Sequence, residues 1–299
     1  SLLGHETEWL EPAPLLRAGI YWPGFSQPQI ADLPWKEGRP VAAMTFYRAL
    51  FQAANTKVLD EMIRALDEAG VNALPLYASS LKDPVVAATV EEILTEAGTG
   101  LILNATSFAI SKPGAEKSQT PFDALDCPVF QMVFSGGNED LWRENTNGLS
   151  ARDIAMNVAL PEVDGRILSR AVSFKGLARR DENIQADLVE YQPVEDRCRF
   201  VADLAANWLT LRHTPAAERR LAVILANYPN RDGRLGNGVG LDTPAGAMNV
   251  LKALKGQGYD VEIPFEDSDA LINHLAKGPT NADIHGRDIR ETISMADYS

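Results

Sequence analysis

The chain has 299 residues, 45% hydrophobic and 7% aromatic, a composition of globular proteins rather than disordered or fibrous ones. With 28 Lys plus Arg against 41 Asp plus Glu its net charge is −13, a field that disfavours nucleic acid and acidic membrane as partners. The length suits one large domain or two ordinary ones, needs no disulfide or metal staple, and holds no apolar run near the ~20 residues of a membrane helix.

Residues 1–40 are rich in Pro and carry Trp9, Trp22, Trp35, Tyr21 and Phe25, the pattern of an irregular segment pinned by aromatics. From Val41 the pattern changes. Short apolar runs at 41–46, 73–77, 101–104 and 129–134 predict buried strands. Between them, Leu59, Met62, Ile63 and Leu66 recur at helical spacing before Gly70. Asp83-Pro84 then opens a second helix, with Val86, Val90, Ile93 and Leu94 on one face and Gly98 at its end. Strands alternating with such helices predict a parallel sheet.

The stretch 138–193 is less regular, with a helix expected over 151–160 and a strand over 167–174. A helix over 194–211 aligns Cys198, Val201, Ala205, Trp208 and Leu209. The opening pattern then returns: a strand at 221–226, a long polar loop, a helix from Thr243-Pro244 with Ala247, Val250, Leu251 and Leu254 on its buried stripe, Gly258, and a strand at 260–263. The fold class read from this order is α/β, two Rossmann-like lobes with mainly parallel sheets. The expected domains are an irregular segment over 1–40, a first lobe with a helical connection over 41–215, and the start of a second lobe over 216–299. Ligands of open α/β sheets bind at the carboxyl ends of the strands, which directs attention to the loops 47–56, 78–83, 104–113 and 227–242.

The most informative loop is Asn227-Tyr228-Pro229-Asn230-Arg231-Asp232-Gly233-Arg234-Leu235-Gly236-Asn237-Gly238-Val239-Gly240-Leu241-Asp242. Its glycines allow positive φ and close approach to a ligand, and its Arg, Asn and Asp supply a dense hydrogen-bonding set. It is not a dinucleotide fingerprint, because Leu241 stands where G-x-G-x-x-G needs its last glycine. Asp242 is placed to cap the following helix, where it would repel phosphate. No Gly-Lys pair exists for a Walker A loop, the four histidines are scattered, and no nucleophile-elbow G-x-S-x-G occurs. Cys127 and Cys198 lack paired spacing, as expected of a reducing cytoplasm. Tyr47 and Arg48, Lys82 beside the capping Asp83, and Asn104, Thr106, Ser107 and Phe108 follow successive strands. A polar set beside an aromatic suits a flat ligand with polar edges. Asp164-Gly165-Arg166 repeats the triplet at 232–234 and reads by itself as a turn. Residue chemistry alone therefore stops at a two-lobed binding protein for a polar, anionic small molecule.

The loop 227–242, with Thr243-Pro244 after it, resembles the hallmark stretch of the large, N-type subunits of aerobic cobaltochelatase, a family related to the H-type subunits of magnesium chelatase. Ala18-Gly19-Ile20-Tyr21-Trp22-Pro23-Gly24, Phe46-Tyr47-Arg48-Ala49-Leu50, Ser80-Leu81-Lys82-Asp83-Pro84, Leu103-Asn104-Ala105-Thr106-Ser107-Phe108-Ala109 and Leu160-Pro161-Glu162-Val163-Asp164-Gly165-Arg166-Ile167 are similar too. The resemblance covers most of 15–265. Its members are several times longer, so the chain reads as an internal piece of one, inactive in isolation, with a cut at each end.

The resemblance implies a cytoplasmic, ATP-dependent insertion of Co²⁺ into hydrogenobyrinic acid a,c-diamide in cobalamin synthesis. Co²⁺ is then a substrate. Two AAA+-type partner subunits would handle ATP and Mg²⁺, while the tetrapyrrole is held by the large one. Arg48, Lys82, Arg231 and Arg234 would suit the carboxylates of that macrocycle, and Asn104, Asn227, Asn230 and Asn237 its amides. Insertion requires loss of inner N–H protons and removal of water from the metal. Glu162, Asp232 and Asp242 are the candidate acids for that step; the metal ligands stay unassigned. An H-type subunit of magnesium chelatase acting on protoporphyrin and a non-catalytic two-lobed binding module remain open alternatives.

Overall fold

A computed structural model describes residues 15–112, 114, 116, 118–183, 185–226, 235–279, 285–287, 289 and 292–298. The chain divides into two compact units, Ser1–Arg212 and His213–Ser299.

The first unit is built on one seven-stranded sheet. Its strands are β1 (Ala18–Ile20), β2 (Val41–Tyr47), β3 (Asn72–Ala78), β4 (Thr99–Asn104), β5 (Val129–Ser135), β6 (Ile167–Asp181) and β7 (Ala186–Pro193), in the order β1-β3-β2-β4-β5-β6-β7. The five from β3 to β6 in that order are parallel neighbours, and β1 and β7 close the two edges antiparallel.

Alternation along the central strands sends side chains to two separate cores. Ala42, Met44 and Phe46 of β2 and Leu101 and Leu103 of β4 face one side. There they meet Leu59, Met62 and Leu66 of a helix at Lys57–Glu68 and Cys198, Val201, Ala205 and Leu209 of another at Glu195–His213. Ala43 and Ile102 point the other way, onto Val86, Val90 and Leu94 of the helix Pro84–Glu96. The first of these helices stops where Gly70 takes φ +81°, a conformation that a Cβ would penalise. Asp83 starts the third: its carboxylate accepts from Val85 and Val86 N–H at 2.9 and 3.4 Å, with Pro84 at the first helical position. Gly100 lets the Glu195–His213 helix lie close on β4, since a Cβ there would stand 2.7 Å from Leu209 Cδ2.

Two expectations change here. The strand begun at 167 runs on as a 15-residue arm to Asp181 and pairs with β7, in register from Ser173↔Pro193 to Asp181↔Ala186. The strands expected at 221–226 and 260–263 do not pair: neither segment joins a ladder among the described residues. Ile224 is 91% exposed, so this apolar run has no neighbouring strand among the described residues against which to bury, and two short strands alone make a marginal sheet. The described part of the second unit is helical, with helices Thr243–Gly256, Ser268–Leu275 and Met295–Tyr298 and a single bridge, Gly238↔Leu241. Val250, placed on the buried stripe by spacing, is exposed, and Met248 is the buried residue of that helix.

Leu66 is fully buried under the sheet. Leu66→Ala is expected to lower unfolding stability by about 2–5 kcal/mol, read from the urea midpoint at unchanged slope.

Candidate functional site

The parallel strands β2, β3 and β4 end together, and their apolar run ends with them. On the face where Ala43 and Ile102 are apolar, the last inward positions are Thr45, Asn104 and Gln131, all nearly or fully buried. They satisfy one another. Thr45 Oγ1 donates to Asn104 Oδ1 at 2.7 Å, and Asn104 Nδ2 donates to Gln131 Oε1 at 2.6 Å and to the Thr106 carbonyl at 2.9 Å. Thr106 Oγ1 donates back to Asn104 Oδ1 at 2.8 Å, and Gln131 Nε2 reaches the Thr106 carbonyl at 3.1 Å. This closed network fixes where the loop after β4 leaves the sheet.

The loop is gripped from outside by Asp164 and Arg166, whose side chains are 1% and 2% exposed and form an ion pair at 3.1 Å. Asp164 also accepts from the backbone N–H groups of Ile110 (2.7 Å) and Ser111 (2.9 Å). Arg166 Nη1 donates to the carbonyls of Thr106 (3.3 Å) and Phe108 (3.2 Å). Burial pushes the Arg166 guanidinium down from its ordinary value while Asp164 pulls it back up; at any neutral pH it stays charged. Its Nε is buried without a hydrogen-bond partner.

Between these anchors Phe108 stands with φ +67° and 46% of its surface exposed. For a residue with a bulky side chain this left-handed conformation costs about 1–2 kcal/mol. It persists because the Phe108 N–H donates to the Met156 carbonyl at 3.0 Å while its own carbonyl accepts from Arg166. Met156 lies in a π turn, Ala155–Ala159, between the short helices Ala151–Ile154 and Leu160–Glu162. In the same turn Asn157 Oδ1 accepts from Ser107 Oγ at 2.6 Å. Strained backbone and single π turns both concentrate at functional sites.

A hollow of about 340 Å³ opens beside this loop, lined by Tyr47, Ser80, Lys82, Thr106, Phe108 and Arg166 among others. It lies at the carboxyl ends of β2, β3 and β4, where an open α/β sheet places ligands. Tyr47 Oη donates to the Ser107 carbonyl at 2.9 Å; burial raises its pKa, against the lowering effect of that hydrogen bond and of Arg166. The hollow therefore offers an aromatic surface, neutral hydroxyls and the Lys82 ammonium. Lys82 is exposed and makes no ion pair among the described residues.

The other residues singled out by sequence lie elsewhere. Asn104 is fully buried with both amide hydrogens committed, so it supports the hollow from beneath and does not line it. Arg48 begins the short helix Arg48–Gln52 and points Nη1 at the Leu16 carbonyl, 3.4 Å away. Glu162 is exposed and lines a different hollow of about 460 Å³ with Gln131 and Arg166. In the second unit, Asp242 Oδ1 caps its helix by accepting from Ala245 N–H at 3.0 Å, and Asn237 precedes the Gly238↔Leu241 bridge. Asn227, Asn230, Arg231, Asp232 and Arg234 lie outside the described residues.

Sequence reading missed the roles of Asp164 and Arg166. Their signal was present in the Asp-Gly-Arg triplet, where Gly165 at φ +77° turns the chain so that both neighbours face the same loop. Among the described residues no three His, Cys, Asp or Glu cluster as a metal site. Burial raises the two thiols, Cys127 to about 11 and Cys198 to about 12, so neither supplies a thiolate at neutral pH. No helix among the described residues is long and apolar enough to cross a membrane.

Residues 1–299 match the family model described as CobN/Magnesium Chelatase. The chain belongs to that family. It is 50% identical over 302 residues to the aerobic cobaltochelatase subunit CobN of Sinorhizobium sp., covering 96% of this chain and 24% of that one. It is 27% identical to the H-type subunit of the magnesium chelatase of Cereibacter sphaeroides over 83% of this chain and 22% of that one. Among solved structures it is similar to the catalytic subunit of cobaltochelatase from Mycobacterium tuberculosis, with TM-score 0.74, 31% identity, and coverage of 92% of this chain and 22% of that chain. The chain thus spans about a quarter of the length of these relatives.

Asp164→Ala would leave the Arg166 charge buried and unpaired. It is expected to cost about 3–5 kcal/mol of unfolding stability, measured by urea denaturation, and to raise hydrogen exchange at Ile110 and Ser111. A loss below about 1 kcal/mol would mean that the pair does not hold the loop.

Proposed function

We propose that this chain supplies macrocycle-holding surface to a cobalt chelatase that inserts Co²⁺ into hydrogenobyrinic acid a,c-diamide in an ATP-dependent step of cobalamin synthesis. The observation that carries the reading is the hollow at the carboxyl ends of β2–β4. It is built by the segments 46–50, 80–84, 103–109 and 160–167, the same segments in which the sequence resembles the large subunits of cobaltochelatase, and it presents an aromatic ring beside cationic and hydroxyl groups. The greater identity to a CobN chain than to an H-type chain of magnesium chelatase supports cobalt over magnesium.

In this reading Lys82 receives a peripheral carboxylate; Arg231 and Arg234 of the long loop suit carboxylates by residue type, through bidentate pairing. Asn227, Asn230 and Asn237 serve amide edges. Insertion of the metal needs a base for the inner N–H protons; of the acids proposed for it, Glu162 lines the separate hollow that shares Arg166 with the first, Asp242 is engaged as a helix cap, and Asp232 lies outside the described residues. Co²⁺ is the substrate metal. ATP and Mg²⁺ belong to two AAA+-type partner subunits, in keeping with a sequence that carries no Walker A loop.

Titration with hydrogenobyrinic acid a,c-diamide, followed by the macrocycle's absorbance with protoporphyrin as control, tests the reading. Selective binding of the corrinoid, weakened about fivefold to tenfold by Lys82→Ala, is the expected result. Tighter binding of protoporphyrin would contradict the cobalt assignment.

A further inference from the structure

A second hollow, of about 470 Å³, also borders Phe108. Its lining includes Ser107, Phe108, Gly136, Arg152, Lys175 and Tyr191. Ser107 and Phe108 line both hollows, and Phe108 is the exposed aromatic residue that they share. Each hollow alone lies in the lower half of the ~300–1,000 Å³ of small-molecule sites, small for a macrocycle with its side chains, and the two share Ser107 and Phe108.

The charges are distributed to match. In a chain of net charge −13, Lys82 on one side and Arg152 and Lys175 on the other are exposed, and none is in an ion pair among the described residues. Lys175 Nζ sits 5.5 Å from the centre of the Tyr191 ring, which orients the ammonium without neutralising it. The one acid that lines the second hollow, Asp153, is buried and already accepts three hydrogen bonds. It accepts from Ser135 Oγ at 2.8 Å, Gly136 N–H at 3.2 Å and Asn157 Nδ2 at 3.3 Å. Asp153 thereby holds the Gly136 backbone and the π turn in place, and it forms no ion pair with Arg152 or Lys175 among the described residues.

We propose that the two hollows are one binding groove for a planar, polycarboxylate ligand. The ring system lies on Phe108, with carboxylates on one edge at Lys82 and on the opposite edge at Arg152 and Lys175. This deepens the proposed function and rests on it for the identity of the macrocycle. The strained Phe108 backbone has its explanation here: the left-handed turn lifts the ring out of the loop to where both hollows share it, and the contacts with Met156 and Arg166 hold it there.

The test is a titration of the chain and its variants with hydrogenobyrinic acid a,c-diamide and with its fully amidated analogue. The Arg152→Ala/Lys175→Ala pair is expected to weaken binding of the carboxylate form about tenfold or more, to reduce its salt dependence, and to leave binding of the amidated form unchanged. Phe108→Gly relieves the left-handed backbone. It is expected to keep the melting temperature at or above that of the unaltered chain while both ligands bind about tenfold more weakly, a separation that a purely structural Phe108 would not produce. If Lys82→Ala weakens binding while the Arg152/Lys175 pair and Phe108→Gly leave it unchanged, the shared groove is wrong and the first hollow is the whole site. If the unaltered chain binds neither ligand, the proposed function and the groove fall together.

Discussion

The geometry of the site depends on one buried ion pair. Asp164 and Arg166, two residues apart across a glycine turn, together make four hydrogen bonds to the backbone of the loop that follows β4. A buried pair of this kind adds little net stability relative to apolar replacements, so its value lies in specifying one arrangement of the loop. It turns the Thr106 and Phe108 carbonyls toward Arg166 and the Ile110 and Ser111 amides toward Asp164. The chain between them passes through the left-handed Phe108, whose ring is exposed.

Two further constraints act on the same few residues. From below, the Thr45–Asn104–Gln131–Thr106 network ends the apolar sheet with a closed set of hydrogen bonds and determines where the loop starts. From the side, the π turn supplies the Met156 carbonyl and Asn157, which bind Phe108 and Ser107. Sheet, turn and ion pair thus meet on one short stretch of chain, and an acidic protein presents cationic and aromatic side chains there while the buried carboxylates Asp153 and Asp164 serve as internal acceptors. Charge summed over the sequence says little about this edge.

The legible parts of the fold were those with strong local patterns. The runs that became β2 to β5 are continuous and apolar because both faces are covered, and the helices between them carry glycine stops and, at Asp83, a cap that read directly. The edges were not legible. β1 has three residues, too few to show a period, and β7 (ADLVEYQP) is a half-exposed strand whose polar residues resemble a loop. The repeat of strand, loop and helix after residue 216 failed for the opposite reason: the local pattern is present but the neighbouring strands that would make a sheet of it are not found among the described residues. At the site, Tyr47, Lys82 and the 104–108 segment were placed by the rule that ligands bind at strand ends, and the structure brings Tyr47, Lys82, Thr106, Ser107 and Phe108 together. Asn104 illustrates the limit of that rule, since a polar residue at a strand end can face inward and brace the site. Arg166, far away in sequence, was hidden because its role depends on tertiary contacts with carbonyls that no local pattern marks.

Hydrogen exchange with and without hydrogenobyrinic acid a,c-diamide measures the central claim, that this edge of the sheet is where the macrocycle sits. Added protection over 106–111, over 152–157 and around Gly136–Gly137 is the result that the account predicts. Binding that protects other segments and leaves these three unchanged would contradict it.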